Sequence, residues 1–277
     1  MALAGVNFFS KSLMRNVSVN VIIPVDKYSL SGELKSQRRP FKTLYLLHGI
    51  YGDYTDWINS TRILSWAMDK NLAVVMPSGD NHFYVDGPVK YGSDYGSFIG
   101  EELIEITRAM FTLSDKREDT FIGGLSMGGY GAVVNGLKYH DVFSRIIALS
   151  SAFEIDTIIN STNGSEGIIG RREYYESVFG DLNQIKGSDK DYCELIRRLK
   201  NENADIPKIY MACGTEDFLI EKNRKYRDFL INNNVYVDYN ESPGIHNWIF
   251  WDEYIKKAIH WLPLDEASEG MSSGNVQ

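Results

Sequence analysis

Gly124-Leu125-Ser126-Met127-Gly128 is the stretch of this 277-residue chain whose residue types and spacing could do chemistry. The apolar Thr120–Ile122 leads into it, and Gly129–Leu137, small residues with Ala132, Val133 and Val134, leads out. A Gly-x-Ser-x-Gly pattern of this kind sets a serine on a sharp strand-to-helix turn and lifts its hydroxyl clear of the sheet. Glycine is needed at 124 and 128 because the turn brings backbone too close for a side chain. The competing readings are a plain glycine-rich turn and a phosphate-binding loop. The second is disfavoured because no Gly-Lys-Ser/Thr follows.

A serine hydroxyl attacks a carbonyl when a base takes its proton, a carboxylate orients that base and N–H groups receive the oxyanion. On such a turn the partners follow in the order serine, acid, histidine. Of five histidines, His48 and His82 precede Ser126, His140 ends the helix after it and His260 falls within the last helix. His246 alone lies between the final strand and the final helix, in Ser242-Pro243-Gly244-Ile245-His246-Asn247-Trp248, and is the expected base. The acid is expected in Gly214-Thr215-Glu216-Asp217, directly after Lys208–Cys213. Asp217 is the preferred residue and Glu216 its rival; either could instead cap the helix starting near Leu219. The expected oxyanion donors are the backbone N–H groups of Met127 and of Ile50 in the His48-Gly49-Ile50 loop. Gly49 allows close approach there, and His48 reads as a structural residue bonded to loop backbone. No His-Glu-x-x-His, paired Cys-x-x-Cys or dinucleotide fingerprint is present, so neither metal nor cofactor is expected.

These loops need a scaffold. Val17–Pro24 alternates and reads as an early strand, with Asp26–Pro40 as a hairpin connection. Thr43–Leu47, Leu72–Met76, Thr120–Ile122, Arg145–Leu149, Lys208–Cys213 and Val235–Tyr239 are short apolar runs of the kind buried in parallel sheets. Helical spacing predicts Thr61–Asp69 with Ile63, Leu64, Ala67 and Met68 inward. It predicts a second helix through Ile99, Leu103, Ile106 and Met110, then Leu219–Asn232 and Trp248–Trp261. Asn81–Gly96 reads as a loop. The alternation implies an α/β fold with a mostly parallel central sheet and helices on both faces. Phe153–Pro207 breaks the rhythm and reads as an insertion capping the site, within a single domain over residues 1–264. Asp265–Gln277 reads as a flexible tail.

Hydrophobic residues make up 43% of the chain, enough for a sizeable core. A formal net charge of −8 argues against nucleic acid and anionic membranes as partners. No stretch is long and apolar enough to span a bilayer, and Met1–Phe9 lacks the marks of a signal peptide. Two cysteines, Cys193 and Cys213, make no disulfide framework, and Cys213 reads as a small buried hydrophobe. A reducing, cytoplasmic compartment is therefore expected. The composition leaves a homo-oligomer open.

With these residues assembled, the chain resembles the esterase D-like branch of the α/β-hydrolases, and within it tributyrin esterases and related acetyl and feruloyl esterases. The resemblance is carried by Asn7-Phe8-Phe9-Ser10, Leu46-Leu47-His48-Gly49, Gly124–Ala132, Cys213–Phe218 and Gly244–Trp248, and spans about Met1–Leu262. It implies an α/β-hydrolase fold and hydrolysis of small short-chain acyl esters without a cofactor, through Ser126, His246 and Asp217. Trp57, Tyr84, Tyr95, Phe153 and Trp248 fall in loops at the expected mouth and are candidate substrate contacts, with ordinary packing as the alternative. Glutathione-linked relatives, the S-formylglutathione hydrolases, usually carry His before the serine. Leu125 at that position weakens that reading. An acyltransferase would use the same three residues, whereas a non-catalytic binding protein of this fold would have lost one.

Overall fold

Apolar runs with no polar side must be covered on both faces, and Thr43–Leu47 and Ala73–Pro77 are buried at every position. In the computed structural model, which describes residues 2–26, 40–89, 91–164 and 167–264, they are two strands of one eight-stranded sheet. The strands are β1 (Ala2–Ser10), β2 (Arg15–Ile23), β3 (Thr43–Leu47), β4 (Ala73–Pro77), β5 (Thr120–Leu125), β6 (Arg145–Leu149), β7 (Lys208–Gly214) and β8 (Val237–Ser242). Their order is β1-β2-β4-β3-β5-β6-β7-β8. β1 pairs antiparallel with β2, and β2 with β4; the remaining pairs are parallel. The mostly parallel sheet is thus as expected.

Alternate residues feed two cores. Tyr45, Val75, Ile122, Ile146 and Met211 face one side, where they meet α4 (Leu103–Met110), α5 (Met127–Lys138), α8 (Tyr192–Asn201) and α9 (Ile220–Asn232). Leu44, Val74, Phe121, Ile147 and Tyr210 face the other, against α1 (Asp56–Ser60), α2 (Ile63–Asp69) and α10 (Trp248–Trp261). Three short helices complete the set: α3 (Tyr95–Ser97), α6 (Ile155–Ile159) and α7 (Arg172–Phe179). Among the described residues no helix is long and apolar enough to cross a membrane.

The chain departs from its sequence pattern in three places. Ala2–Ser10 forms an edge strand that alternates half-buried and exposed residues, a weak apolar signal with a glycine inside it. The stretch Asp26–Pro40 is not a hairpin connection: β2 lies between β1 and β4, so β3 is not its neighbour. Residues 27–39 themselves, like the expected tail at 265–277, lie outside the described residues. The helix through Ile99–Met110 is interrupted by a π-turn at Phe98–Glu102, which adds a residue to one turn and rotates the helix beyond it. Met110 is therefore exposed, and Ile104 and Thr107 are buried in its stead. The segment Phe153–Pro207 has no core of its own. Tyr175, Val178, Phe179, Leu182 and Leu195 join the core of α5 and α9. It is tied to the rest of the domain at three points: Phe179 packs on Phe83 at 5.2 Å, Tyr130 donates to the Lys190 carbonyl at 2.7 Å and Tyr174 to that of Asn81 at 2.6 Å.

One buried side chain ties α9 to the loop after β6. Asn223, fully buried, accepts from Ser151 N–H at 3.2 Å and donates to the carbonyls of Ser151 and Leu219, both at 3.0 Å. Asn223→Ala leaves buried backbone groups unpaired and is expected to cost about 2–3 kcal/mol. A fall in melting temperature of about 4–10 °C follows for a chain of this size, and calorimetry checks it.

Candidate active site

Side chains at 124 and 128 have nowhere to go. A Cβ on Gly124 would lie 2.4 Å from the Gly128 carbonyl oxygen, and one on Gly128 would lie 2.4 Å from that of His48 and 2.6 Å from that of Leu47. Between them Ser126 is held at φ 54°, ψ −118°, a conformation that costs a non-glycine residue about 1–3 kcal/mol. Three backbone bonds hold it there: Ser126 N–H donates to Leu149 O at 2.8 Å, while Tyr130 N–H and Ala152 N–H donate to Ser126 O at 3.1 and 3.0 Å. The residue is only 8% exposed.

Loops at the ends of β7 and β8 bring the other two groups to it. His246 Nε2 lies 3.0 Å from Ser126 Oγ, and His246 Nδ1 lies 2.8 Å from Asp217 Oδ2. Asp217 is 2% exposed, and its other oxygen accepts from Leu219 N–H at 2.8 Å. Burial alone would raise the Asp217 carboxyl; the bonds from His246 and Leu219 outweigh it and hold the group below the usual carboxylate range. An ionised Asp217 accepts the Nδ1 proton and leaves Nε2 free to receive one from the hydroxyl. Glu216, the rival acid, is exposed and turns away: it accepts from Thr215 Oγ1 and from Gly244 N–H. It clamps the loop that carries His246, with Glu216 N–H donating back to Gly244 O at 3.0 Å. Gly214 leaves room for this crossing, since a Cβ there would lie 2.1 Å from the Gly244 carbonyl oxygen.

The loop after β3 completes the enclosure. A Cβ on Gly49 would lie 2.6 Å from Leu125 Cδ1 and 3.6 Å from Ser126 Cβ, so the Gly49–Ile50 peptide runs beside the serine. Met127 opens α5, and its N–H has no carbonyl four residues back within the helix. His48 orients the peptide between Gly49 and Ile50. Gly79 N–H donates to its Nε2 at 2.9 Å, so the ring proton sits on Nδ1 and is donated to Gly49 O at 2.6 Å. Burial lowers its pKa and keeps the ring neutral. Fixing the Gly49 carbonyl fixes the opposite end of the same peptide, the Ile50 N–H.

Most of the aromatic candidates serve packing. Trp57, 1% exposed, donates its indole N–H to Leu47 O at 3.1 Å. Tyr84, fully buried, donates to His48 O at 3.0 Å, and side chains at Gly79 or Gly131 would strike its ring. Tyr95, 3% exposed, bonds through its hydroxyl to Asp80 and Arg15. All three pack as supports here, the alternative the sequence left open, and Tyr84 fills the space that Gly79 and Gly131 leave. Phe153 is also buried, its ring against Tyr192 and Tyr226. Trp248, half-buried, stands edge-on between Trp57 at 5.3 Å and Trp251 at 5.2 Å, and Trp251 stands edge-on to His246 at 4.9 Å.

Sequence reasoning passed over the exposed apolar residues that neighbour the named positions in the chain: Tyr51, Phe218, Ile245 and Ile249. The Phe218 ring lies 4.6 Å from that of His246. Each is one residue from a position singled out above, and that adjacency was the available signal. Among the described residues no group of three or more His, Cys, Asp or Glu side chains is placed to hold a metal ion.

Residues 10–262 match the family model described as a putative esterase. The chain is 48% identical to an acetyl esterase of Caldicellulosiruptor saccharolyticus, over 95% of this chain and 98% of that protein. A substrate-bound fluorophosphonate-binding serine hydrolase of Staphylococcus aureus, FphF, superposes with a TM-score of 0.83 at 32% identity, covering 94% of this chain and 98% of the other. An S-formylglutathione hydrolase of the same organism superposes with a TM-score of 0.80 at 31% identity, covering 95% and 99%.

If His48 orients the Ile50 N–H, its loss removes one oxyanion donor. His48→Ala is expected to lower kcat on p-nitrophenyl acetate by about 10²-fold with KM little changed. His48→Asn, which keeps a donor near the Nδ1 position, recovers most of it. Steady-state kinetics decide, and equal losses in both variants would remove the role.

Proposed function

The chain belongs to the putative-esterase family and is a carboxylic ester hydrolase, and from that premise we propose that Ser126, His246 and Asp217 are its catalytic triad, acting on short acyl esters, acetyl esters first. The observation that carries this reading is the unbroken line of hydrogen bonds from Asp217 through His246 to a serine held on a strained turn. The acetyl esterase relative supports the short acyl group.

In this mechanism Ser126 Oγ attacks the ester carbonyl carbon while His246 Nε2 takes its proton. The N–H groups of Met127 and Ile50 receive the carbonyl oxygen as it becomes an oxyanion. Collapse breaks the bond to the alcohol oxygen, which leaves with the proton from His246. Water then attacks the acyl-enzyme, giving a proton to His246, and Ser126 regains it as the acid departs. Asp217 stays ionised throughout and stabilises the imidazolium. A second reading, hydrolysis of a thioester such as S-formylglutathione, is supported by the 31% identical staphylococcal enzyme. The same residues would serve it, with a thiolate leaving.

Ser126→Ala is expected to lower kcat by about 10⁶-fold in a folded protein, and retention of most activity would remove the assignment. Asp217→Asn presents the wrong His246 tautomer and is expected to cost about 10⁴-fold in kcat. Glu216→Gln, which touches only the loop clamp, costs far less, and the reverse order would exchange the two roles. Across p-nitrophenyl esters, kcat/KM is expected to peak at acetyl to butyryl and to fall for long chains, where overpacking exceeds the gain of about 0.8 kcal/mol per buried methylene. S-formylglutathione in the same panel separates the second reading from the first.

A further inference from the structure

Phe218 stands between two buried residues, Asp217 and Leu219, which are bonded to each other through Leu219 N–H and Asp217 Oδ1 at 2.8 Å. Phe218 itself is 73% exposed. An aromatic side chain is among those that gain most from leaving water, and this one stays in it. A single exposed apolar residue needs no explanation by itself. Phe218 has a second feature that gives it one. Its ring centroid lies 4.6 Å from that of His246, with the two planes at 48°.

Two rings flank the imidazole, and they differ. Trp251, edge-on at 4.9 Å, is 6% exposed and belongs to the core against α10. Phe218 opens to solvent. Nδ1 is taken by Asp217, and Nε2 faces Ser126 Oγ. An ester coming from solvent to Nε2 therefore arrives on the side that Phe218 borders. The proposed mechanism says which half of the ester that is. His246 hands its proton to the oxygen of the leaving alcohol, which must lie about 3 Å from Nε2. The carbons borne by that oxygen come within reach of a ring that touches the same imidazole. The carbonyl oxygen of the acyl half is drawn instead to the N–H groups of Met127 and Ile50.

We propose that Phe218 is a specificity-determining residue for the alcohol half of the ester, and that it selects alcohols with a flat apolar face. The proposal rests on Ser126, His246 and Asp217 being the triad. A phenyl ring carries no donor, acceptor or charge, so it discriminates only by the apolar surface it covers. Methanol offers it almost nothing, whereas a ring-bearing alcohol offers a whole face. An aryl ring and the C–H face of a pyranose share this chemistry. Acyl length is selected elsewhere, so the two halves of the ester are read by separate parts of the site.

The test lets alcohols compete for one acyl-enzyme. The full chain is mixed with p-nitrophenyl acetate, and mass spectrometry after acid quenching reads the acetyl group on Ser126. That adduct reports on the triad separately; its absence removes the triad and the proposal with it. Benzyl alcohol and methanol are then supplied together at equal concentration. Transfer forms the bond from alcohol oxygen to acyl carbon and breaks the one to Ser126 Oγ, while the alcohol's proton passes through His246 to the serine. The ratio of benzyl acetate to methyl acetate does not depend on how fast the acyl-enzyme forms. It is expected to exceed one in the wild type, to fall about tenfold in Phe218→Ala and to be kept in Phe218→Tyr. A methyl pyranoside in place of benzyl alcohol separates the sugar face from the aryl ring, and dependence on Phe218 with either supports the proposal. A ratio that Phe218→Ala leaves unchanged with both ring alcohols, as a merely structural loss would, overturns it. So does a wild-type preference for methanol over both, or an equal fall in Phe218→Tyr.

Discussion

The close passage of two backbones governs this molecule. The carbonyls of Leu47 and His48 occupy the space that a side chain at residue 128 would need. That contact exists because β3 and β5 are parallel neighbours at the centre of the sheet, so the loop leaving one and the helix leaving the other emerge side by side. It accounts for the strained conformation of Ser126, the position of the Gly49–Ile50 peptide beside the serine, and the absence of side chains at 124 and 128. The unfavourable backbone at Ser126 is offset locally by the three hydrogen bonds to its N–H and carbonyl.

Much of this was legible in the residues. Gly124, Ser126 and Gly128 announce the turn because a short apolar strand leads into them and a helix of small residues leads out. The place of Asp217 follows from the apolar run of β7, whereas β8, half-buried along its whole length, begins at Val237 and not at the expected Val235. The elements that escaped detection did so for physical reasons. β1 carries half-buried alternation only, so its apolar signal is faint. The π-turn at Phe98–Glu102 hangs on Glu102, whose carboxylate accepts from Ser10 Oγ and from the N–H groups of Lys11 and Ser12 on a distant turn. No local periodicity encodes a contact ninety residues away. Type and position left the aromatic loop residues open to ligand contact or to packing, and Trp57, Tyr84 and Tyr95 each give their polar atom to the protein itself.

Those inward bonds give the loops their stiffness. Tyr84 and Trp57 grip the carbonyls of His48 and Leu47, consecutive groups at the end of β3, and His48 grips Gly49. The peptide beside Ser126 is thus held through three successive residues without any side chain entering the reaction space. On the other side the crossing of Gly214 and Gly244 fixes the loops of Asp217 and His246 against one another. Two separate clamps, one on the Gly49–Ile50 peptide and one on the His246 loop, meet at the hydroxyl of Ser126.

Trp57, Trp248 and Trp251 stand in edge contact in a row that begins on the carbonyl of Leu47 and ends on the imidazole of His246. Indole emission is quenched by a protonated imidazole at contact distance and far less by a neutral one. The row therefore couples the light emitted by this chain to the charge on His246. A part of the intrinsic fluorescence becomes an optical record of where the proton resides, legible without substrate, dye or label.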